Sequence, residues 1–126
     1  MPSNKVVFVA FAIEDESQRN LLKGQSLYTK SPFEYVDMSV KEPYDSNWKD
    51  RVRTRIRRSD GVIALVSENT LTSSGEQWEI SCAQEEGVSL IGLWVYSNDR
   101  TRPNALNGTR IIEWTWQGIA DFIDSL

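Results

Sequence analysis

The chain has no histidine and only one cysteine among its 126 residues. Without an imidazole, Ser-His-Asp and Cys-His catalysis are excluded, and with a single thiol so are the usual zinc sites. One cysteine leaves no intramolecular disulfide, so Cys82 reads as a small packing residue and a reducing compartment as its home. No apolar run approaches the roughly 20 residues that a membrane-spanning helix needs. The opening MPSNKVV runs straight into a strand and lacks signal-peptide anatomy. Positive charge is not in excess either. A net charge of −4 and a pI near 4.8 argue against nucleic acid or an anionic membrane as the main partner. Hydrophobic content of 40% and charge of 25% are ordinary for a globular protein. The expectation is one cytoplasmic domain over residues 1–126, with no metal, whose chemistry falls to carboxylates, hydroxyls, backbone amides or a lysine.

What is present alternates between apolar runs and amphipathic stretches. Lys5 to Phe11, KVVFVAF, is nearly continuous in apolar residues, as in a strand buried on both faces of a parallel sheet. It ends in Ala12-Ile13 and the acidic Glu14-Asp15-Glu16, after which Ser17 to Lys23 reads as a short helix stopped by Gly24. Phe33 to Ser39 alternates and suits an edge strand. A polar loop, Val40 to Asn47, leads to a helix over Trp48 to Ser59 capped by Ser46 or Asn47, with Trp48, Val52 and Ile56 on one face. Five arginines on this helix divide to either side of the apolar stripe, which reads as a solvated helix rather than a phosphate-binding patch. Gly61 to Ser67 and Val88 to Tyr96 supply further strands, and Ser97 to Gly108 is a polar loop of turn residues. Ile111 to Glu113 reads as a brief fifth strand, and Trp116 to Leu126 as a terminal helix with Ile119, Phe122 and Ile123 inward.

Five strands alternating with helices imply an α/β fold with a doubly wound parallel sheet, and right-handed crossovers favour the flavodoxin-like order 2-1-3-4-5. Ligands of such sheets sit beyond the carboxyl ends of the strands, at the switch between strands 1 and 3. Phe11 to Asp15, the loop Val40 to Asn47, and Ser67 to Glu79 converge there.

The last of these segments continues into the stretch around which the reading turns, Thr70 to Glu86. Ser73 and Glu76 have capping-box spacing, placing a helix start near Ser74. At about 100° per residue Ile80 and Ala83 define its inward face, and Glu79 falls on the same side with Trp78 just before it. Burial opposes the charge on such a carboxylate while the helix N-terminus favours it. The plainer reading is an acid that complements the helix dipole.

The familiar occupants of this topology fail on their loops. FAIEDES after strand 1 is the wrong chemistry for a flavin phosphate, strand 3 ends in Ser67 where a phosphate-accepting receiver has Asp, and neither GxGxxG nor GxxxxGK[ST] occurs. An inward glutamate with aromatics and hydroxyls is what remains, a set suited to cleaving a glycosidic bond through a cationic sugar.

The acidic residues after strand 1, then DMSVKEPYDSNWK, RRSDGVIALVSENT and SSGEQWEI, together resemble a TIR domain, and more closely the compact TIR-like proteins of the bacterial Thoeris anti-phage systems. The likeness covers nearly the whole chain and is most specific over Ile56 to Ser67 and from Ser73 or Ser74 to Ile80. Two departures stand out. Gly75-Glu76 replaces a Trp-Cys pair common before the glutamate, and VKEPYDS replaces the RDxxPG loop of receptor TIR domains.

The resemblance implies an enzyme that cleaves NAD+, a substrate rather than a cofactor, at the nicotinamide–ribose bond. Some members close the ADP-ribose into a cyclic isomer or transfer it, making a diffusible signal for a partner effector. By the same resemblance Glu79 is the catalytic carboxylate, matching with Ser73, Ser74 and Ile80 the family's pattern. Nicotinamide leaves from a cation, so the missing histidine is no obstacle, and Glu79 would hold the ribose hydroxyls and stabilise the oxocarbenium-like transition state. From position alone, Phe11 and Trp78 are candidates to flank the nicotinamide or adenine ring, and Ser67 or Thr70 to bind ribose or phosphate; each has a packing or capping reading beside it. Chain size and family suggest a crevice completed by self-association. Two alternatives stay open: a non-catalytic TIR-like interaction module, and a nucleoside deoxyribosyltransferase-like enzyme.

Overall fold

The computed structural model describes residues 5–27, 35–37 and 47–126. Five strands, β1 (Lys5–Ala10), β2 (Tyr35–Asp37), β3 (Gly61–Val66), β4 (Ser89–Trp94) and β5 (Ile111–Ile112), form one parallel sheet in the order β2-β1-β3-β4-β5. Four helices connect or follow them: α1 (Glu16–Leu27), α2 (Trp48–Arg57), α3 (Ser74–Glu85) and α4 (Trp116–Asp124). Strand β3 is apolar and buried along its whole length because both faces are covered, and residues 7–10 of β1 and 91–93 of β4 are so too.

Alternation along the strands sorts the core into two layers. Val7 and Val9 of β1 and Ile63 and Leu65 of β3 pack with Leu22 of α1 and Ile119, Phe122 and Ile123 of α4. Phe8 and Ala10, with Val62, Ala64 and Val66, pack on the other face against Val52 and Ile56 of α2 and Ile80 and Ala83 of α3. The two helical layers therefore read the same strands in opposite phase.

Several boundaries differ from the sequence reading. Helix α1 runs through Gly24 to Leu27 instead of stopping at Gly24. That glycine does not adopt the left-handed conformation of a helix stop; only Gly87 (φ 68°) and Gly108 (φ 81°) do so among the described residues. Buried Leu22 and Ser26 tie the extra turn down, Ser26 Oγ donating to Lys23 O at 2.7 Å. Helix α2 ends at Arg57, α4 at Asp124, and β5 is confined to Ile111–Ile112. Asn47 holds the N-cap position of α2. Of the edge strand expected over 33–39, residues 35–37 are strand, and 33, 34, 38 and 39 lie outside the described residues. The loop expected over 40–47 also falls outside them up to residue 46.

Turns of 3-10 helix, which hydrophobic periodicity does not reveal, shape the connections at Ile13–Asp15, Glu68–Thr72 and Asn104–Leu106. The last organises the polar segment after β4. Leu106 is fully buried there, and Arg102 Nη1 donates to Leu106 O and Thr109 O at 3.1 and 2.9 Å.

Candidate functional site at the carboxyl edge of the sheet

The carboxyl ends of β1, β3 and β4 are drawn together by one buried acid. Asp15, in the 3-10 turn after β1, is fully buried. Its Oδ2 accepts from Ser67 Oγ at 2.6 Å, and its Oδ1 accepts from Asn69 Nδ2 at 2.9 Å and Tyr96 Oη at 3.2 Å. Three neutral donors from two other crossovers thus surround a carboxylate that burial alone would strongly disfavour. Burial first, and then the neighbouring Asp15 charge, push the Tyr96 hydroxyl above its usual value, so it stays a donor.

Ser67 leaves β3 and caps the following 3-10 turn. Its Oγ accepts from Asn69 N at 3.1 Å, while its own N–H donates to Thr70 Oγ1 at 3.2 Å, a reciprocal box that also has Thr70 Oγ1 donating to Leu65 O at 3.3 Å. Both side chains are fully buried, so the structure gives Ser67 and Thr70 work within the crossover.

Ser73 then caps α3, its Oγ accepting from Glu76 N at 3.2 Å. The returning half of the expected capping box is not used, because Ser73 N–H donates to Thr70 O at 3.3 Å, completing the turn before it. Glu76 instead lies on the inward stripe Glu76, Ile80, Ala83 and is fully buried. Glu79 is 5% exposed, one turn on. By helical spacing it shares a flank with Cys82 and Glu86. That flank faces α2: Arg53 Nη1 donates to Glu86 Oε2 at 2.6 Å and Arg57 Nε to Glu86 Oε1 at 2.9 Å, holding Glu86 down to about 2. Burial pushes the Cys82 thiol up, as fits a packing cysteine. Two of the helix α2 arginines are thereby committed to α3.

Trp78 is half-buried and meets Trp48 edge-on, ring centroids 5.2 Å apart, with Lys49 and Arg53 over its ring at 5.7 and 5.4 Å. Phe11 is 2% exposed in the opposite layer, under the Arg19 guanidinium at 5.7 Å. The two candidate ring neighbours lie in different layers, Phe11 packing with α1 and α4 and Trp78 with α2 and α3.

The sequence reading did not single out Asp15, Asn69 or Tyr96. Asp15 sits in an acidic triplet whose other members, Glu14 and Glu16, are exposed, and only its burial sets it apart. Asn69 and Tyr96 line an open cavity of about 600 Å³ with Glu68, Asn98, Asp99, Arg100 and Thr101. Burial acts against the Asp99 charge, but the Glu68 and Thr101 backbone N–H groups, at 2.8 and 3.2 Å, hold its carboxyl below the ordinary value. Among the described residues no three His, Cys, Asp or Glu side chains are grouped to hold a metal ion, and no helix is long and apolar enough to cross a membrane.

A 3-dehydroquinate dehydratase-like protein from Bifidobacterium longum superposes on 98% of this chain and 94% of its own, at 14% identity and a TM-score of 0.48, a likeness from which nothing is carried over. No curated protein matches the chain. The family description "Thoeris protein ThsB, TIR-like domain" matches residues 8–100, from β1 through the cavity-lining Arg100. The chain therefore belongs to the TIR-like domain family of the Thoeris protein ThsB.

Proposed function

We propose that this protein is a cytoplasmic NAD+-cleaving enzyme of anti-phage defence in which Glu79 is the catalytic carboxylate. The single observation that carries the reading is the burial of Glu79 in the second turn of α3, the helix that follows β3, in a chain of this family. A carboxylate kept from water interacts more strongly with a developing cation than an exposed one does. In the reaction the bond between the nicotinamide nitrogen and ribose C1′ breaks, its electron pair leaving with neutral nicotinamide. Positive charge then builds on C1′ and the ring oxygen, where Glu79 opposes it, and no proton need be supplied to the leaving group. The ADP-ribosyl cation is taken by water, by an atom of its own adenine to give a cyclic isomer, or by an acceptor, and the product signals to a partner effector.

Incubating the protein with NAD+, alone and in lysate of phage-infected cells, tests this. Free nicotinamide should appear with an equal amount of an ADP-ribose species, whose mass separates hydrolysis from cyclisation. NAD+ left intact in both settings overturns the reading. Consumption of deoxynucleosides instead of NAD+ assigns the protein to deoxyribosyl transfer.

A second reading, a TIR-like module that acts by association, draws on the large apolar side chains left outside the core around α1: Ile13, Leu21 and Leu27 are 59, 52 and 70% exposed. Self-association would also serve the enzyme by closing the crevice.

A further inference from the structure

The cavity beyond β3 and β4 has a built floor. Two of its lining residues, Asn69 and Tyr96, are both bonded to the fully buried Asp15, which fixes their orientation from behind. Because Asn69 gives its amide N–H to Asp15 Oδ1, its carbonyl oxygen is the branch turned away from that carboxylate. Asn69 lines the cavity, and this oxygen is the acceptor that it can offer there. Tyr96, 36% exposed, adds an aromatic face held at its hydroxyl end by Asp15.

Charge narrows the ligand further. Glu68 and Asp99 line the cavity, and Asp15 lies behind it. Among the described residues the one lining cation, Arg100, is engaged by both oxygens of Glu113 at 3.0 and 2.8 Å and sits over the Trp94 ring at 5.3 Å. A phosphate would meet an anionic wall whose cation is already neutralised. A flat ring with an exocyclic amine and no charge meets an acceptor for its N–H and a surface for its face.

We propose that this cavity is a nucleobase site, binding an amine-bearing base such as the adenine of adenosine with any phosphate kept outside. The site is separate from the proposed cleavage reaction and is tested without turnover, so either can fail alone.

The probes are adenosine, inosine and AMP, titrated into the intact protein while backbone and side-chain amide NMR signals are followed. Adenosine should give saturable shifts centred on Asn69, Tyr96 and Asn98 to Thr101. Inosine, with an oxygen in place of the amine, should bind about tenfold more weakly, one hydrogen bond being replaced by two facing acceptors. AMP should bind several-fold more weakly at low salt, and the gap should narrow as salt screens the wall. Asn69→Ala should abolish the preference for adenosine over inosine, and Tyr96→Leu should weaken adenosine about tenfold by removing the stacking face. Should Asn69→Ala not fold, the three-ligand comparison on the unaltered protein decides. Equal binding of adenosine and inosine, tighter binding of AMP, or no saturable shift at these residues overturns the proposal.

Discussion

Ser67 is small, fully buried and bonded on two sides, and its removal should be felt. Ser67→Ala takes a donor from Asp15 Oδ2 and an acceptor from Asn69 N. Leaving a buried carboxylate short of a partner and uncapping the turn should cost about 1–3 kcal/mol, read as a lower midpoint in chemical denaturation. A variant as stable as the parent would mean that Asp15 is satisfied in another way. At this scale the sequence was least informative. Glu79 stood out because helical spacing turns it inward, and it is buried. Yet spacing could not tell that Glu76, expected to return a capping bond, is buried on the inward stripe while the Ser73 N–H is taken by Thr70 O. Nor could it pick Asp15 from three consecutive acids, since that choice is made by Ser67, Asn69 and Tyr96, each more than 50 residues away in the chain.

Elements were legible where a period runs long enough to be read. Strands β1 and β3 announce themselves as apolar runs, and α4 as a stripe whose Ile119, Phe122 and Ile123 are all buried. Helix α1 was legible in position but not in length, because glycine signals a stop only when it takes up a positive φ, and Gly24 does not. Pairing between elements yields two predictions. The Glu86 carboxyl, ordinarily near 4.5, is held at about 2, first by hydrogen bonds from Arg57 and Arg53. A carboxyl depressed in the folded state stabilises it above its unfolded value and loses that contribution as pH falls towards the folded one. Melting temperature should therefore fall between about pH 4.5 and 2 partly through this clamp, and Glu86→Gln should flatten that part of the profile while lowering stability at neutral pH. An unchanged profile would show the α2–α3 ion pairs to be inert. In the sheet, a Cβ on Gly92 would come within 2.8 Å of Ile111 Cγ1 and 3.2 Å of Val66 Cγ2, branched side chains with little room to turn. Gly92→Ala should cost about 1–3 kcal/mol by overpacking. Gly61→Ala meets the methyls of Leu126, the far end of a flexible side chain, at 2.8 and 2.9 Å, so the loss should be smaller. Thermal melts of the two variants side by side check the order.

For the molecule as a whole, alternation of apolar runs with amphipathic stretches pointed to a parallel α/β sheet, and the sheet brings the segment after β1 against the segment after β3 at Asp15. Where ligand-binding residues lie on that edge was harder to foresee. Hydroxyls at strand ends are more often caps than ligands, and Ser67 and Thr70 form a capping box; aromatics were placed by chain position, which does not say that Phe11 and Trp78 fall in different layers. The central claim rests on Glu79, and the most direct measurement pairs the protein with Glu79→Gln, a near-isosteric change that removes the charge and turns one acceptor oxygen into a donor amide. Each is incubated with NAD+ and the nicotinamide released is quantified, while the melting temperature of each is recorded. The account predicts that the substitution lowers turnover by at least about 100-fold, as expected when a charge opposite a developing cation is lost, and leaves the melting temperature unchanged or raised, since a buried charge has been removed. Equal NAD+ cleavage by both proteins, or no cleavage by either with a marked loss of stability in the variant, would contradict it and make Glu79 a structural residue.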